Sequence, residues 1–305
     1  MSHKKSSEKY VFLGDCNSLN IEIICKSFVK LKKKRKYILL GNINELRKYL
    51  QKLRSSITLN EVINPYDFNK SEDRYLNIFN IENVSNEKYK NILNQIQIAN
   101  TIANKTKRDL ITMPINKSII KKKTNFIGMT EYLGKLNKTT TLMLMLGDKF
   151  SVVPFTTHIN LKYVYQSIQS NSLMNFSNKL LELIKKKGYY LDFKDIIFIC
   201  YNPHCGENGT LGNEDITINN VIKKFSKIKG PVAADSAFIN VKKNTLFITS
   251  YHDQGLIPFK SLNKFGINFT LGLKYRRLSP AHGTANNKKF KNEADTSSYI
   301  SCMLF

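Results

Sequence analysis

Three histidines of this 305-residue sequence are placed where metal chemistry is plausible. His158, His204 and His252 each come a few residues after an apolar run typical of a buried β-strand. Because ligand sites in open α/β sheets lie at the carboxyl ends of strands, we expect these imidazoles at one edge of a sheet. Three neutral imidazoles with open coordination positions suit a catalytic divalent metal such as Zn²⁺. The alternative interpretation is three ordinary hydrogen-bonded loop histidines.

Charged and polar side chains accompany these histidines. Asp253 adjoins the third of them and is a candidate for a general base or for a group that orients the imidazole. Lys260 follows on the same segment, and Asn268 opens the next apolar run. That run ends at Arg276 and Arg277, and lysine and arginine that converge on a cleft could hold a phosphate or a carboxylate. General surface basicity is the alternative interpretation.

Two further polar loops are candidate site segments, 112–117 and 128–131. Met129 in the second loop would ordinarily be interpreted as core packing. The sequence contains neither the glycine-rich G-x-G-x-x-G pattern nor G-x-x-x-x-G-K-[ST]. Neither a Rossmann fingerprint nor a P-loop is therefore supported.

The formal net charge is +25, from 48 Lys and Arg against 23 Asp and Glu. Such a charge could indicate a nucleic-acid binder. However, 41 of the 48 basic residues are lysine, and they are spread along the chain, as compositional drift in an AT-rich genome would produce. We therefore expect nonspecific adhesion to nucleic acid at low salt rather than a dedicated nucleic-acid partner.

Membrane and secretory classes are not supported by the sequence. It has no apolar stretch long enough to span a bilayer, and its N-terminus lacks the apolar region of a secretory signal. The five cysteines form no C-x-x-C pair, which favours packed thiols in a reducing compartment. We expect a cytoplasmic protein without a membrane partner.

The elements that must position these residues alternate along the chain. Short β-rich runs are predicted at 10–14, 36–41, 109–114, 140–146, 150–157, 196–202, 245–251 and 268–273. Amphipathic helical stretches lie between them, and Asn42 is a plausible cap for one of these helices. The Asn-rich stretch 60–86 is predicted to be irregular. This alternation predicts an α/β protein, in which two α/β lobes could share a cleft.

Five segments carry a family resemblance: FIGMTEYL, NPHCGENGTLGNEDI, GPVAADSAF, YHDQGLIPFK and GINFTLGLKYRRLSPAHGTA. In order and spacing they resemble the 4-hydroxythreonine-4-phosphate dehydrogenases of pyridoxal phosphate biosynthesis. The resemblance extends over nearly the whole chain and is clearest from 109 to 285. NPHxGExG and YHDQGxxxxK are its most specific motifs.

The resemblance implies an α/β fold of two α/β/α lobes with a shared cleft, like that of the isocitrate and isopropylmalate dehydrogenases. We assign 1–120 plus 270–305 to the first lobe. The second lobe, 121–269, would hold the dimer interface and most metal ligands. The family is homodimeric, with each active site shared between the two subunits.

The resemblance also implies an activity and its residues. The family oxidises 4-phosphooxy-L-threonine with NAD or NADP and a divalent metal (Zn, Mg or Co), and the product loses CO₂ to give 3-amino-2-oxopropyl phosphate. The metal ligands would be His158, His204 and His252, with ligands contributed from both subunits. Substrate contacts would be Thr130, Lys260, Asn268 and Arg277. Met129 occupies the position of a substrate-contacting histidine. Asp253 and Lys260 are both candidates for the general base, and the cofactor-binding residues stay unassigned.

Several segments depart from the family pattern. GHTE is replaced by the sequence around Met129, and TGP by Thr112–Met113–Pro114. The glycine-rich N-terminal motif GDPAGIGPE is changed over 14–22, and Ala281 replaces an aspartate. Two alternatives therefore stay open beside the leading one. They are a dehydrogenase of another phosphorylated hydroxy acid and a non-catalytic basic protein.

Overall fold

The computed structural model describes residues 8–31, 36–70, 74–282, 289–291 and 293–305. The end of the last family motif, 283–285, lies outside the described residues. Two compact units account for the chain. Unit 1 comprises Met1–Thr139 and Leu273–Phe305, and unit 2 comprises Thr140–Gly272.

The regular elements alternate, as an α/β protein requires. The strands are β1 Glu8–Phe12, β2 Lys36–Gly41, β3 Leu59–Glu61, β4 Leu76–Asn80, β5 Asp109–Thr112, β6 Leu142–Gly147, β7 Ser151–Pro154, β8 Asp195–Ile199, β9 Ile228–Val232, β10 Thr245–Thr249, β11 Gly266–Leu271 and β12 Arg277–Pro280. The helices are α1 Asn20–Lys30, α2 Ile43–Lys52, α3 Lys88–Thr106, α4 Lys117–Lys121, α5 Met129–Leu136, α6 Val164–Ser167, α7 Ser170–Ile184, α8 Glu214–Ile222, α9 Ala234–Ala237, α10 His252–Leu262 and α11 Ser297–Leu304. The predicted α/β class is confirmed.

Unit 1 is built on a parallel arrangement of strands in the order β3-β4-β2-β1-β5-β12. The central strands β1, β2 and β5 are almost wholly buried. Continuous apolar strands of this kind are typical of parallel sheets covered on both faces. Helix α2 begins as predicted, because the Asn42 side chain accepts hydrogen bonds from the backbone N–H groups of Asn44 and Glu45.

The boundary between the units differs from the predicted one. Helix α5 falls in unit 1 rather than in the second lobe, which we expected to begin at 121. The reason is packing, since Phe126, Met129 and Leu133 belong to the same buried apolar cluster as Tyr10 and Phe12 of β1. Helix α5 therefore extends the first core, and the chain passes to unit 2 between Thr139 and Thr140.

Unit 2 has the strand order β11-β6-β7-β10-β8-β9. Strand β6 is antiparallel to both β11 and β7, whereas β7, β10, β8 and β9 run parallel to one another. Its interior holds the aromatic rings of Phe150, Phe238, Phe247 and Phe259, which meet in tilted and edge-to-face contacts.

All eight predicted strands are present, β2 with the predicted bounds and the other seven with shifted ends, but the stretch 60–86 is not irregular. It contains β4 and the end of β3, which extend the unit 1 sheet. The strand signal is masked by asparagines that are themselves accommodated in the sheet. Asn77 is buried, and its side-chain oxygen accepts a hydrogen bond from Asn60 at 2.8 Å. Among the described helices, none has the length and apolarity to cross a bilayer.

A buried ion cluster joins the strands of unit 1. Asp109 at the start of β5 accepts two hydrogen bonds from the Arg276 guanidinium, at 2.6 and 2.7 Å, and also pairs with Lys9 of β1. All three side chains are at least nine-tenths buried. A buried charge is tolerable when its partners neutralise it and satisfy its hydrogen bonds. One carboxylate between two cations therefore ties β1, β5 and the segment before β12 together.

Replacing Asp109 by asparagine should destabilise unit 1 strongly, because two buried cations lose their countercharge. We expect a loss of about 3–5 kcal/mol in the free energy of unfolding, measured by urea denaturation. The control is Asp195→Asn, which breaks a pair with the exposed Lys229 in unit 2. It should leave the denaturation midpoint nearly unchanged. Equal effects of both variants would show that the buried cluster does not support the unit 1 sheet.

Candidate active site

Two of the three predicted metal histidines are neighbours in unit 2. The rings of His158 and His252 have centroids 5.7 Å apart and planes tilted by 38°. Backbone hydrogen bonds hold the loops after β7 and β10 side by side, from the Phe155 N–H to Thr249 O at 2.7 Å and from the Thr156 N–H to Ser250 O at 3.2 Å. The Thr156 hydroxyl donates a further hydrogen bond to Ser250 O at 2.7 Å. Parallel pairing of two strands thus brings the two imidazoles together.

Asp253 lies against the ring of His252. Its Oδ1 is 2.7 Å from His252 Nδ1. With the carboxylate ionised, Nδ1 carries the proton and Nε2 keeps its lone pair, which is the tautomer a metal ligand needs. Asp253 therefore lies where its carboxylate can orient the His252 imidazole. The Asp253 side chain is mostly exposed, so a proton donor can also reach its carboxylate.

His204 occupies an unusual turn after β8. The turn comprises Pro203–Gly209, and five consecutive residues in it, 204–208, have positive φ values between 44° and 75°. Four of these residues are not glycine, and left-handed backbone costs an L-residue about 1–2 kcal/mol. At Gly206, an added Cβ would lie 3.0 Å from the Gly212 carbonyl oxygen. The turn therefore needs strong ties to persist, and it presents the His204 side chain to solvent.

Asp215 provides one of these ties. Its buried carboxylate accepts hydrogen bonds from the backbone N–H groups of Tyr201 at 2.7 Å and of Asn202 at 2.9 Å. The Asn202 side chain in turn donates to Glu214 at 2.9 Å. The first turn of α8 therefore holds the start of the segment that carries His204.

A disulfide between Cys200 and Cys205 provides the second tie. This corrects the expectation that all five cysteines are packed thiols; Cys16, Cys25 and Cys302 do have free thiols. The sequence pattern could not reveal the bond, because a five-residue separation has no specific signature. It forms because the left-handed turn reverses the chain and brings the two Cα atoms to 5.1 Å.

Gln254 is a site residue that the sequence reasoning did not single out. Its side-chain amide donates to Cys200 O at 2.7 Å, and its side-chain oxygen accepts from the Ser250 N–H at 2.8 Å. The side chain therefore links the ends of β8 and β10. Its presence in the YHDQG motif, next to Asp253, was the available signal.

Lys260 and Asn268 lie on the elements that follow His252. Lys260 is exposed in the last turn of α10, two helical turns or roughly 12 Å along the axis from His252. Asn268 is half-buried in β11, and its Oδ1 has no hydrogen-bond partner within the described part of the chain. An acceptor left open in this way suits a ligand that carries a hydroxyl, an amine or an ammonium group.

The other predicted substrate residues form a second group, in unit 1. Thr130 and Met129 are buried in the first turn of α5. Arg277 is buried at the start of β12, and its guanidinium donates two hydrogen bonds to Thr112 Oγ1, at 2.8 and 2.6 Å. Burial lowers the pKa of Arg277 to about 10. Met129 packs in the apolar cluster of unit 1, where a thioether is at ease.

Lys117, at the start of α4, is electrostatically coupled to this group. Desolvation of its ammonium lowers the pKa of Lys117, Glu131 opposes that shift, and Lys121 and Arg277 reinforce it. Lys117 lies in the candidate loop 112–117, but no role was predicted for it. A lysine just after a strand-end proline was the available signal.

In the changed N-terminal motif of unit 1, residues 14–22, side chains of the motif itself occupy the space between the ends of β1 and β5. The buried Asn20 amide donates to Leu13 O at 3.0 Å and to Pro114 O at 2.8 Å. Gly14 has φ +69°, and an added Cβ would lie 2.4 Å from Pro114 O. The close approach of these two segments therefore serves packing between the ends of β1 and β5.

The predicted site residues thus separate into two groups. Unit 2 holds His158, His204, His252, Asp253, Lys260 and Asn268, and unit 1 holds Met129, Thr130 and Arg277. In the residues that the structure describes, no three His, Cys, Asp or Glu side chains of one chain cluster tightly enough to hold a metal ion. Of the three predicted metal ligands, His158 and His252 are thus neighbours, and His204 lies on a separate turn.

Similarity to known protein families indicates to which of them this chain belongs. The model of the family described as pyridoxal phosphate biosynthetic protein PdxA matches residues 33–305. The chain belongs to this family. The resemblance noted in the motifs is thereby confirmed.

Relatives of this PdxA family member are similar to it over much of its length. A 4-hydroxythreonine-4-phosphate dehydrogenase of Sulfurihydrogenibium sp. is 31% identical over 304 residues, 95% of this chain and 94% of that protein. One from Aquifex aeolicus is 41% identical over 203 residues, 63% of this chain and 62% of that protein. The latter match thus spans less than two thirds of that relative. The family is one of oxidoreductases in pyridoxal phosphate biosynthesis, as the motifs led us to expect.

Solved structures show the same fold as this PdxA family member. A 4-hydroxythreonine-4-phosphate dehydrogenase from Klebsiella pneumoniae has a TM-score of 0.79 at 24% identity, with 97% of each chain covered. A putative one from Salmonella typhimurium has a TM-score of 0.77 at 22% identity, covering 97% of this chain and 98% of that one. The two-unit α/β architecture is thus that of the family.

Removing the Asp215 carboxylate should loosen the turn that carries His204, because two buried backbone N–H groups lose a charged acceptor. We expect Asp215→Ala to reduce the free energy of unfolding by about 2–3 kcal/mol and to speed amide exchange at Tyr201 and Asn202. The exposed Asp192→Ala is the control and should change neither. Unchanged exchange at both amides in Asp215→Ala would contradict this role.

Proposed function

We propose that the protein is a divalent-metal-dependent dehydrogenase that oxidises 4-phosphooxy-L-threonine with NAD or NADP. Decarboxylation then gives 3-amino-2-oxopropyl phosphate, in pyridoxal phosphate biosynthesis. Family membership supports the reaction class. The observation that carries the proposal is the pair of adjacent imidazoles, His158 and His252, at two neighbouring strand ends, the second of which carries the YHDQG motif. We further propose a cytoplasmic location, in keeping with a biosynthetic family.

The metal site would be completed across a homodimer. One protomer would supply His158 and His252, and its partner would supply His204 from the exposed turn. Exposed apolar side chains next to His158 support such an interface: Ile159 is 47% exposed, Leu161 60% and Tyr165 50%. Several large apolar side chains exposed along one short segment favour an association site. Three imidazoles suit Zn²⁺ or Co²⁺ better than Mg²⁺.

The residues around the imidazoles have distinct roles in this proposal. A divalent cation held by three imidazoles would lower the pKa of the substrate hydroxyl and stabilise the negative charge that develops during decarboxylation, while the nicotinamide accepts the hydride. Asp253 keeps His252 in the ligating tautomer. Asp253 or Lys260 would take the hydroxyl proton.

Charged and polar side chains among the predicted residues would contact the substrate. Lys260 and Arg277 would hold anionic groups of the substrate, since guanidinium and ammonium groups pair with phosphate and carboxylate. Asn268 Oδ1 would accept a hydrogen bond from the substrate, and Thr130 would donate or accept one. We assign none of the described residues to the nicotinamide cofactor.

A second candidate function rests on Met129. The family's substrate-contacting histidine is replaced by a thioether that packs in the apolar cluster of unit 1. A methionine cannot donate a hydrogen bond, so one polar contact to the substrate is lost. This favours, as the alternative, a related dehydrogenase acting on another phosphorylated hydroxy acid.

The purified, Co²⁺-loaded protein should form NADH from NAD⁺ and 4-phosphooxy-L-threonine. His204→Ala should reduce the rate by more than about 100-fold, because a direct ligand is lost. The exposed Lys187→Ala is the matched surface control and should retain the full rate. A folded, cobalt-binding protein that forms no NADH with this substrate, but does so with an analogue lacking the 2-amino group, would favour the alternative.

Hybrid dimers test whether the metal ligands come from both subunits. His158→Ala and His204→Ala should each be inactive alone. Coexpression should restore about a quarter of the wild-type activity, because half of randomly formed dimers are hybrids with one intact site. If one chain supplied all three ligands, every site in the hybrid would lack a histidine and no activity would return.

A further inference from the structure

The turn that carries His204 is closed by a covalent bond. Cys200 and Cys205 are disulfide-bonded, and the four residues between them, 201–204, end at His204. The bond therefore joins the two ends of the short segment that carries the His204 side chain. Neither cysteine has a part in the function proposed above.

We propose that Cys200 and Cys205 are a site of reversible thiol oxidation that sets the backbone conformation of the His204 turn, and with it the affinity for a divalent cation. The part concerning the cation rests on the proposed function. The part concerning the turn stands on the geometry of the turn itself.

The conformation of the turn is one that the chain would not keep without restraint. His204, Cys205, Glu207 and Asn208 all have left-handed backbone, with φ values of 48°, 56°, 44° and 58°. Side chains with a Cβ disfavour this region. The hydrogen bonds to Asp215 restrain Tyr201 and Asn202, which precede the left-handed residues. Backbone hydrogen bonds from Leu211 to Gly206 O at 3.2 Å and from Thr210 to Glu207 O at 3.3 Å restrain the end of the turn. Breaking the disulfide would therefore release chiefly its start, the left-handed His204 and Cys205.

The two cysteines differ in how firmly they are held. Cys200 is fully buried at the end of β8. Its N–H donates to Val232 O at 2.9 Å, and its carbonyl accepts from the Gln254 amide at 2.7 Å. Cys205 is half-buried, and its sulfur has a weak contact to Pro231 O at 3.9 Å. On reduction, Cys200 should stay in place, and Cys205 should move together with His204.

The exchange chemistry follows from this difference. A small thiolate attacks the accessible Cys205 sulfur, the S–S bond breaks, and Cys200 leaves as a thiolate that takes up a proton. A second small thiolate then attacks the sulfur of the first, so that one small disulfide forms and Cys205 leaves as a thiolate that takes up a proton. The pair gains two electrons and two protons. Oxidation by a small disulfide reverses every step.

The remaining cysteines should not compete in this exchange. Burial raises the pKa of the Cys16 and Cys302 thiols far above the ordinary range and that of Cys25 to about 12. At neutral pH these thiols stay protonated, and the thiol form is a poor nucleophile. A mild thiol reagent therefore reports on the Cys200–Cys205 pair.

The first test compares the full-length protein after equilibration with oxidised or reduced dithiothreitol. Brief alkylation and intact mass should show two more modified thiols in the reduced protein. Amide exchange over 203–209 should rise at least about tenfold on reduction, while α10 stays unchanged. Equal exchange rates in the two forms would overturn control of the turn by the disulfide.

The second test measures Co²⁺ affinity after the dithiothreitol has been removed under nitrogen. We expect the reduced protein to have a Kd about tenfold weaker than the oxidised protein, the size of effect seen when the support of a metal ligand is lost. A Cys200→Ala/Cys205→Ala variant should bind as weakly as the reduced protein in both conditions, which excludes binding of Co²⁺ by the released thiols. Cys25→Ser should respond to redox conditions as the wild type does.

The outcomes separate the two proposals. Equal Kd values for oxidised, reduced and double-alanine protein would leave the metal site intact and overturn redox control of its affinity. Absence of Co²⁺ binding in every form would instead overturn the proposed metal site and the cation part of this inference. A redox-dependent turn with a redox-dependent Kd would support both.

Discussion

Parallel pairing of β10 with β7 on one side and with β8 on the other decides where the chemistry of unit 2 can lie. The register aligns Thr249 with Pro154 and Ile248 with Phe198, so the three strands end at one edge. Each predicted metal histidine follows one of these ends within a few residues. Backbone N–H groups of the loop after β7 donate to carbonyls at the end of β10, so the loops that carry His158 and His252 lie side by side.

The segment after β8, the third of these strands, differs from the segments after β7 and β10. After β8 the chain turns through left-handed backbone, which places His204 on the surface rather than beside the other two imidazoles. Such a conformation is costly for L-residues, and the structure offsets the cost with a buried carboxylate at one end and a disulfide that closes the loop. Gln254 links this segment back to the end of β10. An exposed His204 is what the proposed metal site, shared between two copies of the chain, requires.

Unit 1 handles its functional positions differently from unit 2. Where the family has a polar or glycine-rich pattern, this chain has side chains that fill space. Met129 packs in the core, and Asn20 joins the ends of β1 and β5 through hydrogen bonds. The buried cluster of Lys9, Asp109 and Arg276 supports the same sheet through charge rather than apolar contact. The sheet is thus supported by apolar packing and by buried charges and hydrogen bonds.

The sequence was sufficient to predict the α/β class, the eight strands with a clear apolar signal and the cap at Asn42, and to reveal the family motifs. These depend on local periodicity and on residue types at short spacing, which can be read along the chain. Tertiary structure alone decided that β4 joins the sheet despite its asparagines, that α5 belongs to unit 1 and that Cys200 bonds Cys205. It also brought His158 to His252 and kept His204 apart. Each of these features depends on contacts between segments distant in sequence, or on a backbone conformation that residue type does not reveal. Such contacts form, and contribute free energy, only when the chain has folded.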